Sequence, residues 1–197
     1  MPAERDVRVE AVASVPWEDV SQVFATRGDP ARCWCQYFKL PNREFETATP
    51  TACAGMLREQ VQASAPGPGV IAYLDGEPVG WCAVEPTPAY SRVHRAKVVT
   101  EGSRQGPDDA SVWAVTCFVV RVGYRLRGVA TALLRGAVAQ ARGAGARVVE
   151  GYPVDLALRP NAPSAELYHG TVSLFAGAGF VEVARVRKDR VVMELVV

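Results

Sequence analysis

The chain has 197 residues, 49% of them hydrophobic and 22% charged, an ordinary composition for one globular domain of residues 1–197. That excludes a disordered tail, a collagen-like repeat and a disulfide-packed miniprotein. Its 22 basic and 21 acidic side chains leave a net charge of +1, which argues against a protein that holds nucleic acid by overall charge.

The first ten residues are charged and carry no apolar leader, and no apolar run approaches the ~20 residues of a spanning helix. Five cysteines, an odd number, point to reduced thiols in the cytoplasm and to no membrane attachment. Residues 5–12 alternate and predict a first strand. Residues 14–26 carry a Ser cap, Pro16 and a Val20/Val23/Phe24 face, which predicts a helix. A compact aromatic run follows, Cys33-Trp34-Cys35-Gln36-Tyr37-Phe38. Residues 50–63 predict a second helix, ended by Pro66-Gly67-Pro68-Gly69. Residues 70–74 and 78–84 predict strands joined at Asp75-Gly76, a strong hairpin signal.

Residues 85–109 predict a loop with one strand segment at 95–100. A buried strand is expected at 111–120 and a helix at 128–142, with Val129, Leu133, Ala137 and Ala141 on one face. Gly136 within that helix costs about 1 kcal/mol relative to Ala, which implies close packing there. A strand at 147–154, a helix at 164–178 broken near Gly170, and a closing hairpin at 180–184 and 190–196 complete the order. The expected architecture is α/β, helices on a mixed sheet with a strand-turn-helix-strand unit at its centre.

Charge is not even along the chain. Residues 118–149 hold no Asp or Glu but six arginines: Arg121, Arg125, Arg127, Arg135, Arg142 and Arg147. Within that window the predicted strand runs through a turn into a helix, at Arg125-Leu126-Arg127-Gly128-Val129-Ala130-Thr131. The first turn of a helix has N–H groups without intrahelical partners, and the helix dipole favours an anion there. Gly128 and Ala130 let a diphosphate approach, Thr131 adds a hydroxyl, and Arg125 and Arg127 add charge. A solvated basic loop is the plainer alternative. Neither familiar nucleotide-loop pattern, Gly-x4-Gly-Lys-Ser/Thr or Gly-x-Gly-x-x-Gly, occurs.

The stretch Arg125-Leu-Arg-Gly128-Val-Ala130 resembles the Gln/Arg-x-x-Gly-x-Gly/Ala signature of the GNAT family of N-acetyltransferases. The similarity extends through residues 110–197, including Arg147-Val-Val-Glu-Gly-Tyr-Pro153 and Ala178-Gly179-Phe180, and to the Asp75-Gly76 hairpin. Residues 1–69 match only in the order of their elements. The resemblance implies an acyl-CoA N-acyltransferase fold, a splayed mixed sheet flanked by helices, and acetyl-CoA as cofactor. It implies that residues 110–197 form the acetyl-CoA-binding core and 1–69 a helical acceptor-side region. Leu126, Arg127, Gly128, Val129, Ala130 and Thr131, with Arg125, would hold the pyrophosphate. Phe118, Val119 and Val120 would pair with the pantetheine amides, and Asn161 would lie near the cofactor. An acceptor amine, most simply on a small molecule, would attack the acetyl carbonyl directly in a ternary complex.

The family's usual general acid is a Tyr four residues before the Gly of Gly-Phe. Here that position is Phe175, which has no proton to give. Tyr168 is the nearest candidate, with Ser173 and water as alternatives and a packed aromatic as the plainer role. His169 reads as a surface or capping residue. For the base, Glu85, Glu150 and Asp155 lie near predicted strand ends, with Glu150 and Asp155 favoured; a paired structural carboxylate is the alternative for each. Asp108 and Asp109 are candidates for attracting a cationic acceptor.

Cys117, two residues before Val119, raises an acyl-enzyme reading, but a small core residue fits as well and no His is close in sequence. Cys33, Cys35, Cys53 and Cys82 lack zinc-ligand spacing, so no metal is expected. Trp34, Tyr37, Phe38 and Trp81 form either an acceptor wall or an anchor for the N-terminal helices. Two further readings stay open: acetylation of a protein lysine or N-terminus, and a non-catalytic acyl-CoA sensor. A homodimer is compatible with the sequence.

Overall fold

The computed structural model describes residues 7–63 and 65–197. Their centre is a seven-stranded mixed sheet of order β1-β2-β3-β4-β5-β7-β6. The strands are β1 (Arg8–Ala11), β2 (Gly69–Leu74), β3 (Glu77–Pro86), β4 (Val112–Val120), β5 (Val148–Gly151), β6 (Val181–Arg187) and β7 (Arg190–Val196). Only β4 and β5 run parallel, joined by the helix α6 (Val129–Gly143). The sheet is therefore the expected mixed one, with the strand-turn-helix-strand unit at its middle. The β2–β3 hairpin turns at Asp75 and Gly76, both at positive φ, as a two-residue turn requires. Of the predicted first strand, residues 5 and 6 lie outside the described residues.

Alternation along the strands divides the core into two layers. On one face α6 lays Leu133, Leu134, Ala137, Val138 and Ala141 against Val70, Val79, Val84 and Val115. Leu133 and Leu134 are fully buried, each stabilising the fold by roughly 1.5–3 kcal/mol. Gly136 lets α6 approach β1: a Cβ at that position would collide with Val9. The opposite face carries α1 (Trp17–Phe24), α2 (Asp29–Cys33), α3 (Asn42–Thr47) and α4 (Pro50–Ala63). Its core includes Val20, Val23, Phe24, Phe38, Leu57, Trp81, Tyr90 and Tyr152.

One expectation changes. Residues 95–100 are not a strand: Lys97–Thr100 forms the short helix α5, whose Val98 and Val99 pack on the second core with Val183, Ala184 and Val192. The helix expected at 164–178 with a break near Gly170 is divided there, into a 3-10 turn, Ser164–His169, and α7 (Val172–Ala176). Gly170 at φ 78 makes the break.

Candidate active site

β3 holds β4 along its length, but with one irregularity. Ala83 pairs with Cys117 and Val84 with Val115, so Thr116 is an extra residue bulged out of β4. On its other edge β4 pairs with β5 only from Val112 to Val115. Beyond Val115 and Gly151 the two strands part. Phe118, Val119 and Val120 keep their β3 partners Cys82, Trp81 and Gly80, and have no β5 partner. Backbone amides on that open edge suit an extended, amide-bearing ligand lying beside β4.

The chain leaves β4 through a turn with Gly123, Leu126 and Gly128 at φ 92, 60 and 80. Gly128 caps α6 in the left-handed region, which a side chain disfavours. Among the described residues, the N–H groups of residues 125–131 donate to no protein acceptor; the first helical bond runs from Ala132 N–H to the Gly128 carbonyl. Leu126 is wholly exposed at the tip. Arg125 and Arg127 are exposed and make no ion pair among the described residues; Arg127 lies over the Tyr124 ring. Arg125 Nε donates to the Val120 carbonyl at 3.4 Å, Arg121 donates to the Pro78 carbonyl at 2.7 Å, and Arg147 pairs with Asp109 at 3.1 Å. The turn is thus a cradle of unpartnered donors and positive charge that fits a diphosphate.

Where the strands part, the buried titratable groups gather on the second face. Glu150 of β5 is 1% exposed. It accepts hydrogen bonds from Ser103 Oγ at 2.6 Å and Tyr152 Oη at 2.9 Å. Burial raises its pKa above the ordinary 4.5; the hydrogen bonds from Ser103 and Tyr152 oppose this, and the neighbouring Glu194 adds to it. Glu194 is its cross-strand partner on β7. Tyr168, half-buried in the 3-10 turn, is held protonated by burial. Its ring rests against His169 and Phe38.

His169 is not a surface residue. Its Nδ1 is buried without a partner, and burial together with Arg190 lowers its pKa to about 3. It is neutral at working pH and not a cationic acid. Phe175 is sealed in the first core, edge-on to Phe180 and Phe118, and a Cβ at Gly151 would collide with it.

Other candidates are engaged elsewhere. Asp155 binds Arg185 at 2.9 Å and accepts the Ala157 N–H, fastening the loop after β5 to β6. These contacts fit the paired structural carboxylate that is the alternative reading of Asp155. Glu85 pairs with Lys39. Asp109 binds Ser111 and Arg147. Asn161 is exposed in the loop after β5. Trp81 is a further correction: it is fully buried and donates its Nε1–H to Cys35 Sγ, so it anchors and lines no open wall. Trp34 stacks on Trp17 and Phe24. Tyr37 already carries a cation, the Arg92 guanidinium 4.1 Å from its ring centre. Phe38 is buried against Tyr168 and His169.

The five thiols are free; burial raises Cys33 to about 12 and raises Cys82, and the Cys117 hydrogen bond together with burial raises Cys35, which makes these three poor nucleophiles. Among the described residues no group of three His, Cys, Asp or Glu is gathered to hold a metal. Ser103, Tyr152 and Glu194 escaped sequence reasoning. Tyr152 and Glu150 alternate on one strand face, which was a usable signal; Ser103, 47 residues away, gave none.

A β4 that parts from its parallel neighbour above a diphosphate cradle defines an acyl-CoA-dependent transferase. The model of the acetyltransferase (GNAT) family matches residues 34–170. The chain belongs to that family; it is an N-acetyltransferase, and acetyl-CoA is its acyl donor. Similar folds include ribosomal-protein-alanine N-acetyltransferase from Brucella melitensis, at TM-score 0.56 and 15% identity over 98% of this chain and 99% of that one. An N-acetyltransferase from Staphylococcus aureus Mu50 gives 0.54 and 13%, covering 97% and 98%. Salmonella typhimurium yncA, solved with its cofactor acetyl-CoA, gives 0.54 and 13%, covering 96% and 93%. At these identities the likeness is one of fold. No curated protein matches the sequence. No helix among the described residues is long and apolar enough to cross a membrane.

Proposed function

We propose that this enzyme acetylates a primary amine of a small molecule directly, in a ternary complex, with Glu150 as proton acceptor and Tyr168 as proton donor. The observation that carries the reading is a buried carboxylate with raised pKa on β5, beside the point where β4 and β5 part. When bound, acetyl-CoA supplies an activated acetyl group. The residue 125–131 N–H groups, Arg125 and Arg127 hold its diphosphate. The open edge at Phe118, Val119 and Val120 orients the thioester arm.

Glu150 takes the proton that the acceptor ammonium must lose before its nitrogen bonds the acetyl carbon. Tyr152 Oη, hydrogen-bonded to Glu150, relays toward the parting. Tyr168 gives its phenolic proton to the thiolate as the C–S bond breaks; burial keeps that proton in place at neutral pH. Cys117, buried in the core, is not needed as an acyl carrier. The five free thiols support a reducing, cytoplasmic setting. Phe175 at the family's Tyr position favours one second reading, a non-catalytic acyl-CoA sensor.

Thiol release from acetyl-CoA against a panel of small amines and peptides tests the proposal. Turnover on small amines without a burst is expected. Tight CoA binding with no turnover on any acceptor overturns it in favour of the sensor, and preference for peptides redirects it to protein acetylation.

A further inference from the structure

A cavity of about 240 Å³ lies on the second face of the sheet, over β5. Its floor is Glu150, Tyr152 and Thr87, all under 5% exposed. Its rim is Thr100, Gly106 and Pro107, all exposed. Residues 87–107 roof it, a segment far in sequence from the aromatic run at 34–38, whose rings are committed to packing.

Its size and its charge together specify an occupant. Cavities that enclose a whole drug-sized ligand measure about 300–1,000 Å³. This one admits a single arm of a molecule. The carboxylate of its floor is Glu150, and Glu194, its cross-strand partner on β7, stands outside the lining. Gln105 Nε2 reaches Glu194 at 3.2 Å, and Ser103 and Tyr152 hold Glu150. All of these are neutral donors. No ion pair to either carboxylate exists among the described residues. The guanidinium on that side, Arg147, bonds Gln105 Oε1 at 2.9 Å and pairs with Asp109. The half-buried His94 in the wall directs Nε2 to the Thr87 carbonyl at 2.7 Å. A buried carboxylate on the floor of a cavity, backed by a second across β7 and with no protein cation on either among the described residues, suits a cation from the ligand.

We infer that this cavity is the acceptor subsite and that it selects an unbranched alkylammonium arm, admitted between α5 and residues 106–107. The inference rests on the amine-acetylation reading above and narrows its substrate class. Glu150 sits at the end of the arm and the aliphatic wall around Val99 lines its stem.

The test uses n-butylammonium chloride as probe, followed by ligand-observed NMR on the whole protein, with n-butanol and tert-butylammonium as comparisons. Glu150→Gln removes the charge and keeps the hydrogen-bond acceptor. Thr100→Trp places an indole over the rim from an exposed helix position. CoA affinity, read at the α6 end, verifies that both variants are folded. n-Butylammonium is expected to bind wild type at least about tenfold more tightly than either comparison, and to lose about tenfold or more in each variant. Equal binding of n-butanol or tert-butylammonium, or n-butylammonium affinity unchanged in both variants, overturns the inference. If the probe binds as expected but is not acetylated, the cation subsite stands and the transfer reading falls.

Discussion

Gly128→Glu strikes the diphosphate cradle without touching the core. Gly128 has φ 80, and a Cβ there meets nothing within 4 Å. Any side chain therefore points into open space beside the free N–H groups of residues 125–131. Left-handed backbone costs a non-glycine residue about 1 kcal/mol, which is tolerable for folding. Take its carboxylate at about 5 Å, roughly one side-chain length, from an anion that those N–H groups would hold. At an effective dielectric of about 20, one unit of charge repels another there by about 3 kcal/mol. That corresponds to a loss of about a hundredfold or more in CoA affinity. Gly128→Ala isolates the backbone cost from the charge and is expected to lose only a few-fold, on the order of that ~1 kcal/mol. Isothermal titration with CoA reads both. Wild-type affinity in Gly128→Glu would refute the cradle, and equal large losses in both variants would refute the electrostatic argument.

Arg125→Ala should weaken CoA by about 1–3 kcal/mol, the range for a charge-assisted hydrogen bond, with a loss that shrinks in high salt; unchanged affinity across salt counts against it. Tyr168→Phe should lower kcat with CoA affinity unchanged, and unchanged kcat removes Tyr168 as the proton donor. Glu150 is active as a base only above its raised pKa, so kcat/KM should climb through an acidic limb lying above 4.5, and Glu150→Gln should abolish that limb with the activity. The same raised pKa makes the folded state prefer the protonated form. Its stabilising contribution is complete below the ordinary carboxylate value and is lost as pH rises through the raised one. Glu150→Gln should therefore gain in Tm relative to wild type between acid and neutral pH, and a gap that does not widen refutes the burial argument. Gly136→Val should cost about 1–3 kcal/mol in urea unfolding by driving α6 off Val9.

The parts of this molecule written in local spacing were legible. Asp75-Gly76 announced its hairpin, and Leu133, Ala137 and Ala141 announced the buried face of α6. Gly136 announced a close approach, which Val9 supplies. The unpartnered N–H groups of residues 125–131 were legible because they are consecutive backbone groups at a helix start. Residues 97–100 misled because Val98 and Val99 are β-branched, yet they pack as a short helix on the face of the sheet with Val183, Ala184 and Val192. The chemistry around Glu150 was half legible. Its position on β5 could be read, but Ser103 and Glu194 reach it only through the fold. Asp155, just after the predicted strand, and Glu150, inside it, were both candidates for the base. Arg185, 30 residues further on, separates them by claiming Asp155. The aromatic run at residues 34–38 left wall and anchor unseparated, and Phe24, Trp17 and Arg92 decide where its rings sit.

The most direct measurement is acetyl-CoA-dependent acetylation of n-butylamine, followed as thiol release in wild type and Glu150→Gln across pH. Turnover by wild type that rises through an acidic limb and vanishes in Glu150→Gln, with CoA affinity the same in both proteins, is the predicted result. Equal turnover and equal pH dependence in the two proteins would contradict it.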